Sequence, residues 1–281
     1  PTISENVRRA QRFAGMMIGE DPEADNWNPK HKMFRSPMQT SQGPYHNSSI
    51  EFAHRYLDTG NRSPLPDYSG RASLHPIVKN LEMDWDKNPR RVKEILKLFD
   101  KIILNGDVAN SLSSTALVTN AYLYTGDEKY KRWVLEYVEA WMERSRLNGG
   151  IMPDNVGPSG VIGEQRDGQW WGGLYGWNSP WAGNLMFHAL TIASECALLL
   201  TGDTSYLDLI RSQVEMLMNH STTREDGQLL VPSQYGPEGW QEFRAGRLRE
   251  PEHLYHASMS STDYQLLTVL REGERERDWN A

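Results

Sequence analysis

The sequence predicts an all-α fold assembled from helical hairpins, on three observations. The first is a repeat. Ala121-Tyr-Leu-Tyr-Thr-Gly-Asp-Glu-Lys-Tyr130 recurs 76 residues later as Ala197-Leu-Leu-Leu-Thr-Gly-Asp-Thr-Ser-Tyr206, and self-similarity of this kind marks stacked supersecondary units. The second is periodicity. Tyr130, Trp133, Val134, Val138 and Trp141 align with Tyr206, Leu209, Ile210, Val214 and Leu217, a single stripe at helical spacing. The third is the chemistry of Thr-Gly-Asp. Gly126 and Gly202 can take the left-handed conformation that ends a helix, and Asp127 and Asp203 can then cap the next one. That assigns both aspartates to structure.

The elements follow in order. Residues 5–18 read as an amphipathic helix and 47–58 as a second helix, separated by a polar, Pro-rich connection over 19–46. Leu57-Asp-Thr-Gly-Asn61 is a weaker third echo of the turn, and a further polar connection runs over 61–88. Residues 89–104 place Pro89 at a helix start, where its missing N–H costs nothing, ahead of Val92, Ile95, Leu96, Phe99, Ile102 and Ile103. Helices over 112–124 and 181–200 precede the two turns and are apolar almost all round, so they are expected to be buried on most sides as an inner layer. Those over 128–145 and 204–219 are amphipathic and form an outer layer. A last inner helix is expected over 258–271, followed by a charged, solvated terminus. His188, inside the apolar 181–200 segment, reads as a hydrogen-bonded core residue.

Composition narrows the function. The chain has 281 residues, a net charge of -7 and no block of Lys or Arg. That argues against a nucleic-acid or anionic-membrane partner. The single cysteine, Cys196, lies in an apolar run, which excludes a disulfide framework and reads as a buried structural thiol. No stretch is long and apolar enough to span a bilayer. No signal segment is visible, and the expectation is a periplasmic or secreted location rather than a cytoplasmic one. There is no Walker loop, dinucleotide fingerprint or nucleophile elbow. No cofactor or metal is therefore expected; His253 and His256 have metal-compatible spacing but no accompanying metalloenzyme pattern.

Alternating inner and outer helices with Thr-Gly-Asp turns resemble the (α/α) toroid, or six-hairpin, proteins. These include glycoside hydrolases acting on unsaturated uronides, many polysaccharide lyases and sugar epimerases. The resemblance covers roughly residues 90–270, and no catalytic signature of one family matches. About four hairpins can be counted, so residues 1–281 are expected to form one toroid-type domain, an open ring or part of a longer protein. The resemblance implies a carbohydrate substrate, bound at the end of the ring where the long connections over 19–46, 146–180 and 220–257 converge. Short β-hairpins could be accommodated there. Long loops on a rigid scaffold are where function concentrates.

The residues in those loops suit such a role. Trp170, Trp171, Trp177 and Trp181 lie in a Gly-rich stretch rather than a periodic one. Flat rings beside Gly-Gly can offer a face for a pyranose to stack on, although Trp181 and one of Trp170 or Trp171 are expected to pack the loop onto the ring. Asn47, Asn155, Gln165, Arg166, Tyr175, Asn178, Tyr235 and Trp240 are candidate substrate contacts. Glycoside hydrolysis needs two carboxylates across the scissile bond, for which Asp154, Asp167 and Glu242 are candidates. β-Elimination from a uronate instead needs a cation on the sugar carboxylate and a His or Tyr to move protons. Arg244 or Arg166, with His46, His253, Tyr255 and His256, could supply that set. The expectation is an enzyme cleaving an acidic polysaccharide or oligosaccharide, leaning to elimination. A hydrolase on the same scaffold and a non-catalytic glycan-binding protein are the alternatives.

Overall fold

The computed structural model describes residues 2–40, 43–57, 84–177, 182–245 and 249–272. Among them are nine α-helices. These are α1 (Ile3–Ile18), α2 (Ile50–Leu57), α3 (Pro89–Ile102), α4 (Thr115–Thr125), α5 (Glu128–Leu147), α6 (Ala182–Thr201), α7 (Asp208–Asn219), α8 (Glu250–Ser258) and α9 (Ser261–Glu272). None is long and apolar enough to cross a membrane. The third echo of the turn, beyond Leu57, and most of the 61–88 connection lie outside the described residues, as do Asn178, Trp181 and Arg247.

The two Thr-Gly-Asp turns make the same hydrogen bonds. Gly126 (φ +67°) and Gly202 (φ +73°) end α4 and α6 in the left-handed region. Asp127 then accepts from the Lys129 N–H at 3.1 Å, and Asp203 from the Ser205 N–H at 2.9 Å. The threonine has its own part, which the sequence reading did not assign. Thr125 and Thr201 donate to the carbonyls of Ala121 and Ala197, each at 2.7 Å. The same hydroxyls accept from the Asp127 and Asp203 N–H groups at 3.2 and 3.1 Å. The second unit differs in that Thr204–Leu207 is a 3₁₀ turn, so α7 starts at Asp208. A third hairpin uses other residues. The helix expected over 258–271 forms as α9 from Ser261, and Met259 in the left-handed region (φ +52°) separates it from α8, where a loop was expected; Ser260 accepts from the Asp263 N–H at 3.1 Å.

Helix α6 sits centrally. It packs on α4, α5, α7, α8 and a 3₁₀ turn at Ala109–Ser114, while α1 packs on α4. The larger apolar cluster takes Tyr137 and Trp141 from α5 and Phe187 from α6. A smaller one gathers Leu57, Trp85, Ile95, Phe99 and Leu104. The two inner helices differ. α6 is buried on most sides as expected, with Leu199 (63%) and His188 exposed at one edge, so His188 is not a core residue. α4 departs from expectation, leaving Leu117 (42%) and Leu123 (60%) exposed on a face that no described element covers. Helix α5, expected on the outside, supplies some of the most deeply buried aromatic rings. Cys196 is half-buried, and burial raises its thiol pKa.

Short strands occupy the long connections. β1 (Trp27–Asn28) pairs antiparallel with β2 (Met33–Phe34), and β3 (Gln39–Thr40) with β4 (Gly43–Pro44). β5 (Thr222–Thr223), β6 (Leu229–Gly236) and β7 (Gly239–Ala245) form a three-stranded antiparallel sheet with β6 central. This sheet fills most of the 220–257 connection. Helix α8 begins at Glu250, so His253, Tyr255 and His256 stand on a helix rather than a loop.

Candidate functional site

The 146–180 connection is organised by one buried carboxylate. Asp154 accepts from the N–H groups of Gly172 (2.8 Å), Gly173 (2.7 Å) and Trp177 (2.7 Å) and from the Asn155 amide (3.1 Å). Gly173 and Gly176 are required by this approach, because a Cβ on Gly176 would stand 2.0 Å from an Asp154 carboxylate oxygen. Burial still raises the Asp154 pKa, opposed by Asn155, Arg166 and the backbone donors. With its oxygens engaged in this way, Asp154 holds the loop. Asn155 is spent on Asp154 and the Gln169 carbonyl, and Arg166 lies near Asp154 and donates to the Ile102 carbonyl at 3.3 Å.

A second buried carboxylate, Asp107, was not singled out from the sequence. It accepts from the Phe34 N–H (3.0 Å), its neighbour Val108 (2.8 Å) and the Tyr137 hydroxyl (2.9 Å). Asp107 thereby ties α5 to the first connection, and its backbone pairs with Val156 of the central loop. Burial raises its pKa against the pull of Arg144. The crevice among Asp107, Asn155, Gln165 and Arg166 has a volume of about 20 Å³. That is room for about one water, not for a sugar.

The predicted aromatic residues do converge. Tyr235 of β6 lies 4.6 Å from Trp170 and 5.9 Å from Trp171, ring centre to ring centre. Trp240 of β7 stands edge-on to Tyr235 at 4.9 Å and to Trp177 at 5.2 Å. The Tyr235 N–H donates to the Trp177 carbonyl at 2.8 Å, joining the β-hairpin to the central loop. Trp170, Trp171, Tyr235 and Trp240 are half-buried. Trp177 is fully enclosed, with its indole N–H on the Met152 carbonyl at 2.7 Å and its ring against Phe187. Its ring is therefore not open to a ligand.

Titratable groups meet at α6 and α8. Glu250 is buried at the start of α8, and burial raises its pKa, opposed in part by His188 and His253. The His253 imidazole lies 2.8 Å from the Glu195 carboxylate of α6. Glu195 was missed because it lies on a helix, whereas candidates were sought in loops; Glu250 lies in the connection that was searched, but nothing local marks that the fold buries it. The exposed stripe of α6 running through His188 could have pointed to them.

The remaining candidates are spread out. Arg244 pairs with Glu242 across two exposed side chains of β7, and Glu242 has a left-handed backbone (φ +54°). Tyr255 packs on Tyr264 and His256. Among the described residues no hydrogen bond or ion pair joins Arg244 to Tyr255 or to either histidine. Asp167 is exposed in a left-handed turn (φ +54°). Tyr175 packs against the smaller apolar cluster. His46 and Asn47 are exposed before α2. The hydroxyl of Ser49, not Asn47, caps that helix, accepting from the Phe52 N–H at 3.1 Å. Among the described residues, no three His, Cys, Asp or Glu side chains converge as a cation site.

What the fold and site define is a helical-hairpin protein with an aromatic cluster between the central loop and the β6–β7 hairpin and a carboxylate–imidazole group between α6 and α8. The chain belongs to a family described as a domain of unknown function (DUF8034), whose model matches residues 1–281. No curated protein matches it. Among solved structures it is similar to a family 76 glycoside hydrolase (mannosidase) from Bacteroides thetaiotaomicron. The identity is 12%, with 95% of this chain and 71% of that chain covered and a TM-score of 0.32. A likeness so distant leaves activity to be argued from the site itself.

Proposed function

We propose that this chain is a carbohydrate-active enzyme that hydrolyses glycosidic bonds, built on an open arc of the (α/α) toroid architecture. The observation that carries the reading is Glu250. Its side chain is buried at the start of α8, and burial raises its pKa above the ordinary carboxylate value, the direction a general acid donating to a leaving oxygen needs. Glu195, hydrogen-bonded to His253, is the second carboxylate that glycoside hydrolysis demands and activates the water. Trp170, Trp171 and Tyr235 supply the stacking surface. Helix α6 contributes to both groups, Phe187 packing on Trp177 and His188 lying within electrostatic reach of Glu250. Hydrolysis is preferred to β-elimination because, among the described residues, no hydrogen bond or ion pair joins Arg244 to Tyr255 or either histidine, and Arg166 is held by the Ile102 carbonyl beside Asp154.

A panel of neutral and acidic oligosaccharides tests this, read for new reducing ends and for the ultraviolet absorbance of a C4–C5 double bond. Reducing ends without absorbance are expected. Glu250→Gln should cut kcat by about 10²–10⁴-fold, the usual contribution of a general acid. Absorbance rising with cleavage would replace hydrolysis by elimination. Cleavage unaffected by both Glu250→Gln and Glu195→Gln would remove these residues from the mechanism. Tryptophan fluorescence responding to a sugar that is never cleaved would leave a binding protein.

A further inference from the structure

A cavity of about 370 Å³ lies between α1, the first connection and the 3₁₀ turn that leads into α4. It lies at the low end of the roughly 300–1,000 Å³ typical of small-molecule sites, which suits one ring of monosaccharide size. Phe13, Phe34 and Leu117 form apolar walls, and Gln39, Asn110 and Ser114 supply polar groups. Among the described residues, none that lines it is Asp, Glu, Lys, Arg or His. A charged ligand would therefore lose its hydration without finding a counter-ion.

The hydrogen-bond pattern fixes what the cavity offers. The Ser36 N–H donates to the Asn26 side-chain oxygen at 2.8 Å, and the Ser36 carbonyl accepts from the Asn26 amide nitrogen at 2.9 Å. Backbone groups thus set the orientation of Asn26. The same nitrogen donates to Gln39 at 2.8 Å, so the Gln39 atom facing it is the oxygen. That leaves Gln39 Nε2 as a buried donor without a partner, and Ser114 Oγ is likewise unpartnered, both among the described residues. A buried donor without an acceptor is costly, and a ligand hydroxyl would satisfy it while also pairing with a serine hydroxyl.

We propose that this cavity binds a neutral, hydroxyl-rich ring of monosaccharide size, one face against Phe13, Phe34 and Leu117 and its hydroxyls on Gln39 Nε2 and Ser114 Oγ. The site is independent of the catalytic reading, since it shares no residue with Glu250, Glu195 or the Trp170–Tyr235 cluster.

The test is ligand-observed NMR titration of the whole chain with methyl α-glucopyranoside, myo-inositol and glucuronate. At least one neutral probe should bind, with glucuronate at least tenfold weaker. Leu117→Trp, which obstructs the cavity from a partly exposed position, should weaken the neutral probe at least tenfold, and Gln39→Leu likewise. Trp171→Ala, which removes any binding at the stacking surface, should leave in place the binding that Leu117→Trp weakens. If Gln39→Leu fails to fold, Leu117→Trp carries the comparison alone. The proposal is overturned if no neutral probe binds, or if glucuronate binds as well as the neutral probes. It is equally overturned if Leu117→Trp binds like wild type or if Trp171→Ala abolishes binding.

Discussion

Replacing Asp154 by Asn keeps its shape and tests the knot that holds the central loop. One carboxylate oxygen accepts from the Gly172 and Trp177 N–H groups, and the other from the Gly173 N–H and the Asn155 amide. Whichever way an asparagine amide turns, its NH₂ faces two donors that then lose their acceptor. Each stranded buried donor costs about 1–3 kcal/mol. Relief of the burial penalty, which already raises the Asp154 pKa, returns part of that. The net loss should be about 2–4 kcal/mol, a large share of the roughly 5–15 kcal/mol typical of a folded protein. Urea unfolding followed by tryptophan fluorescence measures it. Asp167→Asn, at an exposed position of the same loop, is the control and should stay within about 0.5 kcal/mol of wild type. If Asp154→Asn matches that control, the knot does not hold the loop and its four hydrogen bonds contribute nothing net.

Gly176→Ala should abolish soluble folding, since its Cβ would overlap the Asp154 carboxylate, whereas Gly126→Ala, left-handed but with open space around it, should cost only about 1–2 kcal/mol in a thermal melt. Arg211 clasps the fully buried Asp263 with two bonds of 2.7 and 2.9 Å; Arg211→Met strands that carboxylate and should cost about 3–5 kcal/mol in a denaturant titration. Arg211 also holds the Asp263 pKa below its ordinary value. Its contribution to stability is therefore present above an unfolded pKa of about 3.9 and lost as pH falls through the lower folded value. Acid titration of Arg211→Met should show less of that loss than wild type. Glu250 runs the other way: with its folded pKa raised, stability is fully present below an unfolded value of about 4.3 and falls as pH rises through the folded one. Unfolding midpoints of Glu250→Gln across pH should lack that slope, and any wild-type hydrolysis should decline over the same rise as the acid loses its proton.

Legibility divided along a physical line. The hairpin turns were readable because their interactions are local: every contact of Thr-Gly-Asp lies within four residues, so the tripeptide specifies the turn wherever it stands. The aromatic cluster was half readable. Its members stood out by residue type, but stacking of Trp170 on Tyr235 spans two connections, and the enclosure of Trp177 depends on Phe187 and Trp240 packing against it. The break at Met259 was hidden because a non-glycine residue holds the left-handed conformation there, with Ser260 in the place of the usual aspartate.

What the sequence by itself determined is therefore the helical hairpins and their caps. Tertiary structure decided the rest. It buried Asp154 and Asp107 as structural carboxylates, left His188 in solvent, and set Glu195 beside His253 and Glu250 near both histidines. Whether a carboxylate anchors a loop or stands ready to move a proton depends on which donors the folded chain brings to it. Those donors come from positions far away along the chain, where local pattern has no reach.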